Sequence, residues 1–196
     1  GRRQRQMCIR DRWETQWRQA QKECEQHLRD AYEAVARNEY DKARADVTLA
    51  LKKNADQIKA KQLRDELPDL DRGYEEFKQA EAMEFSDPTG AVKTIADALV
   101  LNPGLSNLAS ELEERIRLRS EEYLRSADES IKDHDYEAAI SDIELALKND
   151  QENPKALGLR DELPNWKRGY DFYLAAQSEV NSAPSEAAKK LSQVLE

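Results

Sequence analysis

The apolar positions of this chain fall on a helical rhythm that returns at a fixed distance. Ala43, Val47, Ala50 and Leu51 stand at i, i+4, i+7 and i+8. That spacing gathers all four on one stripe of an α-helix. The stripe returns as Ala91, Ile95, Ala98 and Leu99, then as Ala139, Ile143, Ala146 and Leu147, and again as Ala187, Leu191, Val194 and Leu195, in steps of 48 residues. The small members allow a neighbouring helix to come close, and the branched members fill the space between helices.

Before each stripe lies a turn: Asn38-Glu39-Tyr40, Ser86-Asp87-Pro88, His134-Asp135-Tyr136 and Ser182-Ala183-Pro184. Pro suits the first turn of the helix that follows, and Ser, Asp or Asn suits its cap. A second break follows the stripes, at Asn54, at Asn102-Pro103-Gly104 and from Asn149 to Pro154. The pattern predicts an all-α protein built from a helix–turn–helix hairpin repeated about four times. A stronger repeat overlies it. Sliding the chain by 96 residues aligns 27–100 with 123–196 and gives 28 identities in 74 positions. Leu63-Arg64-Asp65-Glu66-Leu67-Pro68 returns as Leu159-Arg160-Asp161-Glu162-Leu163-Pro164, and Arg72-Gly73-Tyr74 as Arg168-Gly169-Tyr170. Self-similarity of this kind marks a repeat architecture.

The unit resembles the tetratricopeptide repeat. Ala127, Asp135-Tyr136-Glu137-Ala138-Ala139-Ile140, Ile143, Ala146 and Leu147 carry the likeness in the third unit. Ala31, Tyr40, Ala43, Val47, Ala50 and Leu51 carry it in the first, and Asn102-Pro103 is similar to the family's closing turn. The resemblance spans about residues 24–196 and implies an α-solenoid of antiparallel hairpins. It also implies a peptide groove lined by the first helix of each unit. Those positions here are Leu28, Tyr32 and Val35; Glu76, Ala80 and Met83; Leu124, Asp128 and Ile131; and Phe172, Ala176 and Glu179.

The period departs from the family's, which is about 34 residues. The additional residues, in 55–70, 104–118 and 152–166, read as helix and extend the first helix of the next unit. From Leu105 to Lys132 neither Pro nor Gly intervenes, so a helix of about 28 residues and roughly 42 Å is expected. Pro68 and Pro164 are expected to kink or divide the matching helices at 55–85 and 153–181, because proline deletes a hydrogen bond and crowds the preceding turn. Unequal helices would disturb the family's usual superhelical curvature.

Charge and composition refine this picture. The chain has 196 residues, 31 basic and 40 acidic, a net charge of −9. Residues 2–12 stand apart, crowded with arginine and without an apolar period. They resemble one reading frame of a translated transposase-type sequencing adapter, the other reading being a basic arm for nucleic acid or anionic lipid. Residues 1–12 are thus expected to be a non-native tail on a repeat domain at 13–196. That domain would be part of a larger chain, truncated within its fourth unit, with its localisation open. Without the tail, 26 basic and 39 acidic residues remain, a net −13. Such a balance opposes nucleic-acid binding, which needs cations to neutralise phosphates. No apolar run approaches the roughly 20 residues of a membrane span.

Candidate chemistry is sparse. With Cys8 in the tail, Cys24 is the remaining thiol and reads as an ordinary one. His27 has no nearby Cys, His or paired carboxylate at metal spacing and reads as a partly exposed helical His. Asp133-His134-Asp135 sits in a turn whose first-unit copy, Arg37-Asn38-Glu39, lacks that chemistry. Phosphate loops and nucleophile motifs are missing. No catalytic residue, metal ligand or cofactor is therefore expected. The Arg-Gly-Tyr copies read either as two docking sites or as tight packing, with Gly73 and Gly169 permitting close helix approach. Trp13 and Trp17, at i, i+4, could cap the first unit, pack on other protein or mark a membrane interface.

The reading is a non-enzymatic scaffold for a protein or peptide partner. The alternatives are a structural spacer or self-association module of a bacterial envelope complex, and an accessory repeat region of an enzyme or kinase. In every case residues 13–196 should give a circular dichroism spectrum dominated by helix. Substantial strand signal would overturn the architecture.

Overall fold

The computed structural model describes residues 2–194, with side chains from Arg10 to Ser192. Among these residues the structure is all helix. The α-helices are α1 (Arg2–Ala36), α2 (Tyr40–Lys53), α3 (Ile58–Met83), α4 (Pro88–Leu101), α5 (Ser106–Lys132), α6 (Tyr136–Asn149), α7 (Pro154–Glu179) and α8 (Pro184–Val194). One 3₁₀ turn, Pro103–Leu105, precedes α5. The period is built into the backbone. The short helices begin at Tyr40, Pro88, Tyr136 and Pro184, and the long ones that follow at Ile58, Ser106 and Pro154. Each start lies 48 residues beyond the last of its kind.

Helices pack in adjacent pairs. Lys53 at the end of α2 pairs with Glu23 of α1 at 2.5 Å, while the two helices turn into one another at residues 37–39. That pairing fixes an antiparallel hairpin. Ser120 of α5 likewise donates to the carbonyl of Ala146 in α6 at 3.0 Å.

The odd-numbered hairpins share one turn. Asn38 and His134 both adopt φ 60°, a left-handed conformation. The N–H of Glu39 reaches back to Ala34 O, and that of Asn38 to Val35 O. The same two bonds recur from Asp135 to Ser130 O and from His134 to Ile131 O. This is the Schellman arrangement, which satisfies the last carbonyls of the helix. Asn tolerates the left-handed region better than His. In the third unit Asp135 adds a cap, accepting from Ala138 N at 3.1 Å. The even hairpins close differently, with Asp87 N bonding Met83 O and Ala183 N bonding Glu179 O.

Two corrections concern the long helices. Pro68 and Pro164 divide neither α3 nor α7; both helices run through them. Both prolines face solvent, so the carbonyls that lose a partner, of the exposed Arg64 and Arg160, remain open to water. The lengths of α3, α5 and α7 are accordingly 26, 27 and 26 residues rather than unequal.

The chain forms two compact units. One comprises Gly1–Ala80 and Thr94–Ala109, the other Glu81–Lys93 and Ser110–Glu196. The first has a core of Cys24, Leu28, Ala31, Ala34, Tyr40, Ala43, Val47, Ala50, Ala60, Leu63 and Leu67. The second has a cluster of Leu124, Ala127, Ala139, Ile143, Ala146, Ala156 and Leu163. The alanine–branched stripes are buried in the first three hairpins, and Leu51, Leu99 and Leu147 partly so. In the fourth, Ala187 is buried but Leu191 is exposed, and Val194 and Leu195 lie outside the described side chains.

Gly73 shows why the Arg-Gly-Tyr sequence takes this form. A Cβ there would meet Asn102 Cβ at 2.7 Å and Ala98 O at 2.9 Å. Only glycine lets α3 lie this close to the end of α4. Asn102, buried at that end, donates to Tyr40 Oη at 2.7 Å and to Leu70 O at 2.9 Å, and accepts from Gly104 N at 3.2 Å. Tyr40 Oη in turn donates to Asn38 Oδ1 at 3.0 Å. The relay ties the first turn to the end of α4.

Gly73→Ala tests this packing. The substitution gains about 1 kcal/mol of helix propensity but incurs an overpacking cost of about 1–3 kcal/mol. We expect net destabilisation, read as a lower urea midpoint at unchanged m-value.

Candidate functional site

The groove residues expected from the family resemblance separate into two groups. Leu28, Ala80, Leu124 and Ala176 are core residues. Val35 and Ile131 are partly buried against the same cores. Met83 and Phe172 are half-buried. Tyr32 is 46% exposed and is the most accessible apolar member. The acidic members are engaged by salt links: Glu76 accepts from Arg72 at 3.2 Å, Asp128 pairs with Lys155 at 2.5 Å and Glu179 with Lys190 at 2.5 Å. Tyr32 is therefore the accessible apolar side chain of the set, and the buried members are unable to touch a ligand without unpacking the core.

Glu76 does line a cleft. Arg72, Glu76 and Gln79 of α3 face Thr94, Asp97, Val100 and Leu101 of α4 across about 470 Å³. A second cleft, about 370 Å³, lies where the first turn meets α3, and includes Tyr40, Asp71, Tyr74 and Lys78. Here Lys78 stands 5.2 Å above the Tyr74 ring, a cation–π distance. Arg44 joins Asp71 to Asp41. In the third unit the matching corner carries His134 stacked on Tyr170 at 4.4 Å and Tyr136 tilted against it at 5.7 Å. The two Arg-Gly-Tyr copies thus place Tyr74 and Tyr170 against the Tyr that opens the preceding short helix.

Two charged arrangements were invisible in the sequence because their members come from different helices. Glu84, after α3, is buried. It accepts from Arg119 at 2.6 Å and from Arg115 at 3.1 Å. Arg119 also donates to Glu84 O at 3.0 Å and lies 4.0 Å above the Phe85 ring. The Arg115 bond, outweighing desolvation, and then the Arg119 bond hold the Glu84 carboxyl below its ordinary value of 4.5. The other arrangement corrects the reading of His27: Asp30, one turn on, and Asp46, across the hairpin on α2, come close to its ring.

Cys24 is wholly buried, and desolvation pushes its thiol above the ordinary 9.0. Such a thiol is poorly nucleophilic. Trp13 and Trp17 are exposed on α1. No described helix is long and apolar enough to cross a membrane. The chain matches no protein-family model, and neither curated proteins nor solved structures provide a match.

The Glu84 cluster makes a pH-dependent contribution. A carboxyl whose pKa is lowered on folding stabilises the native state above its ordinary value, and this is lost as pH falls through the folded value. Glu84→Gln should therefore cost about 2 kcal/mol at pH 7. Its Tm deficit relative to the parent should shrink as pH drops below 4.5. A deficit constant from pH 7 to pH 3 would show that the charge is immaterial.

Proposed function

We propose that the chain is a tetratricopeptide-like α-solenoid that serves as a non-enzymatic platform for a protein or peptide partner. The observation that carries this reading is the register of the helix starts, which repeats every 48 residues through four short helices. Repeats of this kind offer an extended surface with one position per unit, suited to a linear ligand. The candidate positions mix acidic with apolar side chains, so the ligand expected is an amphipathic helix or a peptide with basic flanks. Tyr32 is its apolar anchor, since an exposed aromatic ring supplies large contact area at low entropic cost. Glu76, in the cleft of α3 and α4, supplies a carboxylate for a basic flank.

Self-association is the second reading. Leu191 favours it: its counterparts Val47, Ile95 and Ile143 are buried, while Leu191 itself is 40% exposed. Its contact would be with another copy of the chain rather than with a peptide.

Affinity capture with the full chain, followed by Tyr32→Ala and Glu76→Lys, tests the platform. Each substitution should weaken the recovered partner by about 10-fold, the effect of losing some 1.4 kcal/mol. Unchanged binding of every recovered partner by both variants overturns the groove assignment. Concentration-dependent oligomers in sedimentation, abolished by Leu191→Glu, would decide for self-association.

A further inference from the structure

We propose that His27, Asp30 and Asp46 form a binding site for one divalent transition-metal ion of the zinc class, joining α1 to α2. His27 and Asp30 sit one turn apart on α1, so their side chains share a face. Asp46 approaches from α2. One ligand atom from each of the three lies within 4.8 Å of the others. His27 Nδ1 and Asp46 Oδ1 are 3.9 Å apart, too far for a direct hydrogen bond.

An independent observation points to a ligand. His27 Nδ1 and Asp46 Oδ2 are closed off from solvent and have no hydrogen-bond partner. A buried polar atom left unpaired costs about 1–3 kcal/mol. Here two such atoms of opposite helices, one an imidazole nitrogen and one a carboxylate oxygen, belong to the same cluster. A cation answers both at once. Ligand atoms about a tetrahedral zinc ion, at 2.0–2.2 Å from it, are roughly 3.4 Å apart. The His27–Asp46 separation need contract only by about half an ångström to reach that. Gln26 Nε2 donates to Asp30 Oδ1 at 2.9 Å, an outer contact of the sort that orients a ligating carboxylate. The imidazole selects against calcium and magnesium, which take oxygen ligands, and one nitrogen with two carboxylates suits zinc, cobalt or manganese. Water completes the coordination.

The chain carries its own control. The positions 96 residues on are Tyr123, Ser126 and Asp142, and that hairpin still buries the neighbouring Leu124 and Ala127. Its packing requires neither His nor Asp at the first two positions, so the ligands of the first hairpin are not a by-product of the repeat. His27→Tyr and Asp30→Ser therefore remove ligands while substituting residues that the same fold already accepts.

The test is calorimetric titration of the untagged full chain with Zn²⁺, with visible absorption of the Co²⁺ form as a second readout. The parent should bind one ion per chain and give a Co²⁺ d–d band. His27→Tyr should weaken binding by about 100-fold or more, and Asp30→Ser by about 10-fold, given that outer contacts alone are worth roughly 10–100-fold. Both variants should keep the parent's helical circular dichroism. A folded parent that takes up no ion at millimolar zinc overturns the site. Equal zinc affinity in His27→Tyr overturns it as well, whatever the Co²⁺ spectrum shows.

Discussion

Alanine is the residue most often buried among the described side chains of this protein. Ala31, Ala34, Ala43, Ala50 and Ala60 of the first core, and Ala127, Ala139, Ala146 and Ala156 of the second cluster, are almost wholly removed from solvent. Alanine loses no side-chain entropy when buried, and it lets helix backbones approach to the short end of the packing range. The same constraint reaches its limit at Gly73, where even a methyl would collide with Ala98 O. Each contact contributes little area, so stability is spread over many small contacts. Branched residues such as Val47, Ile143, Leu63 and Leu163 fill the remaining gaps. Close approach goes with the hydrogen-bond relay through Asn102 too: at this buried helix end a side chain satisfies the backbone groups of Leu70 and Gly104.

Because the helices carry so narrow an apolar stripe, most of the remaining surface is free to be charged. The pairs Glu76–Arg72, Asp128–Lys155 and Glu137–Lys167 are of this kind. They are exposed or half-exposed and contribute little to stability. Glu84 differs in being buried and held by two arginines, one of which also covers Phe85. Its chemistry is structural: two cations hold one carboxylate ionised, the opposite of what an acid–base catalyst needs.

The helices could be read from the sequence because period 3.6 and period 48 are both properties of the linear string. The turns were readable for the same reason, since Asn38, Asn102 and Pro154 carry local preferences for caps and left-handed backbone. Pro68 and Pro164 do not divide their helices: both face solvent, and local propensity does not record which face of a helix meets water. Leu28 and Leu124 depart from expectation for a different reason. A family register assigns them to a groove, whereas here both side chains belong to the buried cores. Asp46 beside His27, and Arg119 beside Glu84, come from sequence separations that no spacing rule covers. Only the packing of helices brings them together.

The turns also follow the repeat. Asn38 and His134 share a left-handed Schellman closure, while the turns before Pro88 and Pro184 share another. Each turn therefore matches the one two hairpins away rather than its neighbour. The turns thus repeat at the same 96-residue spacing as the identities along the chain, and His134 holds a left-handed backbone that Asn38, at the matching position, occupies at lower cost.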